Sequence, residues 1–202
     1  MNHQNFHHIL FMSALVIGIS FAGGCTTHVV PVSPSEITIT DEGHGVLFGK
    51  VHLTRNGQDP SADLQWPREM KWWVEDEPHG KRFLITHLPV NGPFAVKLPA
   101  GSYRVTDISF PSARGLWHTV LPTSFTIRSR ECTSLGISEI EMHTGFFTGW
   151  IMRNVYNEQS LLQDDFESLL GTKQCPTTVA PQESPVKNVV RLWFHTRESS
   201  RH

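Results

Sequence analysis

GPFAVKLPAGSYRV, residues 92–105, carries the reading of the fold. Phe94, Val96 and Leu98 alternate with Ala95 and Lys97, the period of two that puts every second side chain on one face of a strand. Pro99 presets φ for a turn and Gly101 relieves its strain, so the chain reverses over Leu98–Gly101. Tyr103 and Val105 then resume the inward face with Arg104 pointing to water. The stretch reads as strand, turn and strand, with the Phe94 and Tyr103 rings buried on the same side.

Working outward, β-branched and aromatic runs alternate with Gly, Pro, Asn and Asp clusters along most of the chain. The strands expected are 45–54, 70–76, 82–88, 94–98, 102–110, 124–128, 134–142 and 147–155. In the first, Leu47, Val51 and Leu53 face inward with Gly49 between them, and Lys50 faces out. In 134–142 the phase changes between Leu135 and Ile140, which calls for a β-bulge near Ser138. Eight short strands suit an all-β fold, a two-sheet antiparallel sandwich. Helical periodicity occurs once, at 157–171 (NEQSLLQDDFESLLG): Ser160 and Gln163 have capping-box spacing, Gly171 is a left-handed stop, and Leu161, Leu162, Phe166, Leu169 and Leu170 form one apolar stripe. This C-terminal amphipathic helix is expected to pack on the sandwich.

The chain has 202 residues, 17 Lys and Arg against 19 Asp and Glu, 12 Phe and 6 Trp. Such a balance disfavours a nucleic-acid partner, and the aromatic load fills a core without a dense disulfide framework.

Residues 9–21 (ILFMSALVIGISF) form an apolar run of 13 residues, short of the roughly 20 a membrane-spanning helix needs. With Ala22, Gly23, Gly24 and Cys25 after it, the run resembles the leader and lipobox of bacterial lipoproteins. The resemblance implies cleavage after residue 24 and a diacylglyceryl group, with its palmitate-type chains, on Cys25. Two or more acyl chains give lasting membrane residence. The expected location is the cell envelope, in the outer membrane if the cell is Gram-negative, because Thr26 is not the Asp that marks inner-membrane retention. The organisation that follows is a signal peptide at 1–24, lipidated Cys25 and a flexible tether to 37, the β-domain with its closing helix at 38–172, a linker at 173–187, and a basic, apolar tail at 188–202.

The order of Phe94, Leu98, Pro99, Gly101 and Tyr103 resembles the hairpin of prealbumin-like sandwich modules, the transthyretin and carboxypeptidase-regulatory type. GVLFGKVHL (45–53) is similar to their first strand. FTIRSRECTSLGISEI (125–140) and NEQSLLQDDF (157–166) resemble the closing elements of such domains in uncharacterised bacterial lipoproteins. The resemblance covers roughly residues 43–171 and implies a fold, with no catalytic residue and no cofactor.

Cys132 and Cys175 are the thiols left once Cys25 is acylated, and an exported pair invites a disulfide. The alternative is two unpaired thiols with Cys132 in the core. No Gly-x-Ser-x-Gly, His-Glu-x-x-His or phosphate loop occurs, so no enzyme is expected. His44, His52, His87 and His118 lack metal-ligand spacing; no metal is expected, although ligands could converge in space. Trp72 and Trp73, adjacent on one strand, must point to opposite faces. With Trp66 they are the candidate ligand-binding residues, since an exposed indole stacks on a sugar ring or a partner protein. The tail strand NVVRLWFHT (188–196) can dock on the body or touch an anionic membrane surface. These features point to a membrane-anchored, non-catalytic binding or assembly module with an envelope protein or carbohydrate partner. The alternative is a periplasmic metal or small-ligand carrier.

Overall fold

The computed structural model describes residues 26–32, 42–59, 69–112, 115–156, 175–180 and 184–193. Cys25, Trp66 and the helix expected at 157–171 lie outside them. Among the described residues the regular elements are all strands, and the fold is all-β. They are β1 (Thr27–Val29), β2 (His44–Arg55), β3 (Glu69–Asp76), β4 (Arg82–Pro89), β5 (Asn91–Pro99) and β6 (Gly101–Ser112). Then come β7 (Gly115–Thr119), β8 (Thr123–Ile127), β9 (Cys132–Thr144), β10 (Thr148–Tyr156), β11 (Thr177–Val179) and β12 (Val186–Trp193).

Hydrogen-bonded neighbours follow one path, β1-β4-β3-β6-β7-β12-β10-β9-β2-β5, with β8 added to β6 and β11 to β9. The path curls into a nearly closed sheet. Leu53 N of β2 donates to Val90 O and extends the β2–β5 ladder by one pair; at the open seam, beyond β1, Val32 N donates to Ala95 O of β5. Residues 27–32 therefore touch both ends of the path, β4 through the Thr27–Phe83 register and β5 through Val32. The stretch read from sequence as a flexible tether is engaged with the body two residues after Cys25.

The Leu98–Gly101 turn is not a hairpin. β5 pairs with β2 and β6 pairs with β3, so the turn carries the chain from one wall to the facing one. The rings read as neighbours do face inward but are not each other's partners: Phe94 meets Trp72 of β3 edge to face across the core at 5.5 Å, whereas Tyr103 stays within its own wall, meeting Phe83 of β4 at 5.7 Å and stacking on its register partner Phe125 of β8 at 5.6 Å. Tyr103 pins the corner by donating its hydroxyl to Pro99 O at 2.8 Å. Burial, with Asp76 nearby, pushes its pKa up to about 12, which keeps that donor protonated.

The bulge in β9 lies at Leu135–Gly136 instead of Ser138. Ser134 pairs with Phe48 and Ile137 with Lys50, so two residues oppose Gly49, and Gly136 takes φ +73°. That extra residue turns Leu135, Ile140 and Met142 onto one face, within a single core that also holds Leu47, Trp72 and Ile108. Gly49 leaves room for the Phe94 ring, which would lie 3.2 Å from a Cβ there.

A smaller cluster, Val46, Phe48, Ala95 and Cys132, buries the outer side of β2 and β5 under Val32 and Cys175. Cys132 and Cys175 are joined in a disulfide. The bridge holds β11 in parallel register with β9, Thr177 opposite Cys132. The expected linker thus contains a strand. The tail, too, is sheet at Val186–Trp193, lying between β10 and β7.

Candidate functional site

Parity along β3 sorts its two tryptophans. Met70, Trp72 and Val74 are buried, whereas Trp73 on the opposite face is half-buried. Trp72 is 2% exposed and donates its indole N–H to Met70 Sδ at 3.2 Å, so it is a core residue and is removed from the ligand-binding set. Trp73 stays on the outer face, opposite Asp107 of β6.

On that same outer face the sheet assembles side chains from β9, β10, β12, β7 and β6. Trp150 lies opposite His143 of β9 and Val189 of β12, and Arg191 of β12 lies opposite His118 of β7. His143 stacks on one side of Trp150, ring centres 3.9 Å apart and planes 16° apart, and bonds Glu141 through Nε2 at 2.6 Å. Lys187 Nζ sits 4.4 Å from the centre of the Trp150 ring, a cation–π contact. With His143 and Lys187 against its ring, Trp150 is spent on intramolecular contacts.

Trp193 packs against His118 at 4.0 Å in a T-shaped contact, and His118 Nδ1 lies 2.9 Å from Asp107 Oδ2. Burial raises the Asp107 pKa, and the His118 hydrogen bond and charge hold it back. Trp193 itself is 60% exposed, and it is joined by Phe146 (74%) and Phe147 (51%) in the β9–β10 turn. Leu192 N donates to Phe147 O at 2.9 Å, which fixes that turn beside the end of β12. Phe146 and Phe147 meet edge to face at 4.7 Å. Three large apolar side chains thus stand together in water at one end of the sheet, with Arg191 and His118 beside them.

The position of this end follows from strand direction. β1 runs parallel to β4, and the pairings β4-β3, β3-β6, β6-β7 and β7-β12 are all antiparallel, so β12 runs the same way as β1. The start of β1, next to Cys25, and the aromatic end of β12 are therefore at opposite ends of the sheet.

Sequence reading singled out none of Phe146, Phe147, Trp150 or Trp193 as a site. A usable signal existed in β12, where Lys187, Val189, Arg191 and Trp193 alternate with the buried Val190 and Leu192. The turn phenylalanines gave none, because Phe147 extends the apolar run of its strand.

The histidines do not converge. His44 and His52 are on β2, His87 is on β4 with Nδ1 2.6 Å from Glu69, and His118 is engaged with Asp107. Among the described residues no three His, Cys, Asp or Glu side chains gather as a metal site requires.

No protein-family model and no curated protein matches the chain. A leucine-rich repeat protein from Bacteroides thetaiotaomicron, known from its crystal structure, is 17% identical over 52% of this chain, with a TM-score of 0.33, and the match covers 15% of that protein's own length.

Proposed function

We propose that this chain is an envelope lipoprotein, anchored in the membrane through acylated Cys25, whose body is a non-catalytic module that docks a protein partner on its aromatic end. Exposed Phe146, Phe147 and Trp193, at the far end of the sheet from residue 26, are the observation that carries the reading. Aromatic side chains dominate binding energy where they cluster and can be desolvated. With the acyl chains at one end, this cluster faces away from the bilayer, so the membrane is the anchor and another envelope component is the ligand. A protein fits better than a glycan: the two phenylalanines meet edge to face instead of forming a flat platform, and His143 and Lys187 already contact the Trp150 ring.

The body is read as a prealbumin-like sandwich. Support comes from the wall-to-wall corner at Pro99–Gly101 and the Trp72–Phe94 contact between facing strands, with β7 and β12 continuing one wall into the other. The amphipathic stretch 157–171 is its proposed closing helix, and the outer membrane its proposed site in a Gram-negative cell.

Joint replacement of Phe146, Phe147 and Trp193 by Ala is expected to lower in-cell cross-linking to the partner at least tenfold, with membrane fractionation unchanged. An unaltered pattern of cross-linked products would contradict the assignment.

A further inference from the structure

β12 lies inside the sheet, hydrogen-bonded to β10 on one side and β7 on the other, so it offers side chains and no free backbone edge. Alternation sends Val190 and Leu192 into the core and leaves Lys187, Val189, Arg191 and Trp193 exposed on the outer face. At roughly 3.3 Å per residue this stripe is about 20 Å long. It ends at Trp193, where the hydrogen bond from Leu192 N to Phe147 O brings in the phenylalanine turn.

The chain as a whole has a formal charge of −2, yet this stripe is cationic. β7 and β10, which flank it, carry no Asp or Glu. One strand further out, Asp107 of β6 is bonded to His118 Nδ1 at 2.9 Å. On the other side Glu141 of β9, in line with Lys187 across Met152, is bonded to His143 Nε2 at 2.6 Å. Glu139 falls opposite Asn154, past the end of the β12 pairing. Among the described residues, therefore, no carboxylate pairs with Lys187 or Arg191. Arg191 stands between His118 and Thr148, neither of them anionic. Lys187 rests its ammonium 4.4 Å from the centre of the Trp150 ring, which positions the charge without neutralising it.

We propose, on the reading that the aromatic end docks a protein, that this partner presents an acidic segment to the stripe, with carboxylates flanking apolar side chains. Arg191 takes one carboxylate as a two-pronged pair beside Trp193, and Lys187 takes a second. Val189 and the aromatic end bury the apolar side chains. The two cations are about 13 Å apart along β12. That spacing matches carboxylates about four residues apart in an extended segment, or about nine apart on a helix. Complementary charge of this kind sets partner choice and association rate. A protein suits the stripe better than an anionic bilayer because Trp193 lies at the far end of the sheet from residue 26.

A phage-displayed library of random twelve-residue peptides, panned against the full chain in neutral detergent at low salt, tests this. Enriched peptides are expected to combine Asp and Glu with apolar residues, and to bind Arg191→Glu and Lys187→Glu at least tenfold more weakly than the parent. Panning against the double variant is expected to reverse the preference to Lys and Arg, a gain that a misfolded chain would not show. Absence of enrichment, enriched peptides without an acidic excess, or acidic peptides that bind both variants as well as the parent would overturn the proposal. If peptides indifferent to the charge changes are lost when Phe146, Phe147 and Trp193 are jointly replaced by Ala, the docking reading survives that failure; if they ignore this change too, both fall. Displacement of every enriched peptide by phosphatidylglycerol added to the micelles would assign the stripe to an anionic membrane and equally overturn it.

Discussion

Trp72→Ala will cost the fold about 3–5 kcal/mol, the range for truncating a fully buried large aromatic. The indole is 2% exposed, holds Met70 through its N–H and meets Phe94 of the facing wall at 5.5 Å. Its removal leaves a cavity between β3 and β5, strands that lie near opposite ends of the sheet path and meet through core contacts such as this one. Urea denaturation followed by fluorescence of the remaining tryptophans gives the midpoint shift. The same substitution at Trp73, on the outer face, is expected to cost less than half as much. Equal losses at the two positions would mean that the assigned parity of β3 is wrong.

Breaking the Cys132–Cys175 bridge is the second large effect. The two residues are 43 apart, and the chain-entropy model gives about 4 kcal/mol for a loop of this size. For a domain of this length that is roughly 10 °C in Tm. Cys175→Ser is the cleaner variant, because Cys132 is fully buried and a serine there would add the burial of a hydroxyl. Beyond the entropy, the bridge covers the outer cluster of Val46, Phe48 and Ala95 and holds β11 in register with β9. Calorimetry of the variant, and of the parent chain under reductant, is expected to give the same lowered Tm. A change below about 2 °C in both would contradict a structural role for the bridge.

All eight runs expected as strands are strands, because each carries its own alternation between faces that a partner then covers. β7 and β11 were missed for want of length, five and three residues being too few for alternation to stand out. β1 was missed because Pro31 and Pro34 made its surroundings read as spacer. Strand order was not legible at all: pairing β5 with β2 and β6 with β3 is a non-local choice, and a Pro-Gly turn serves a hairpin or a wall-to-wall corner equally well. The phase change in β9 announced a bulge, yet only the positive φ of Gly136 fixes its place.

Met70, Trp72 and Val74 share a parity against Lys71, Trp73 and Glu75, and that alone sends Trp72 inward. Trp193 stands out in the same manner on β12. Phe146 and Phe147 become a surface feature only when β9 and β10 are known to be neighbours, since the turn that exposes them is defined by that pairing.

Whether the aromatic end faces away from a membrane depends on the proposed acylation of Cys25. Intact-mass and peptide mass spectrometry of the chain purified from membranes reads it directly. The expected product begins at Cys25 and carries a thioether-linked diacylglycerol on that sulfur. A product that retains residues 1–24, or one whose Cys25 is a free thiol, would contradict the account.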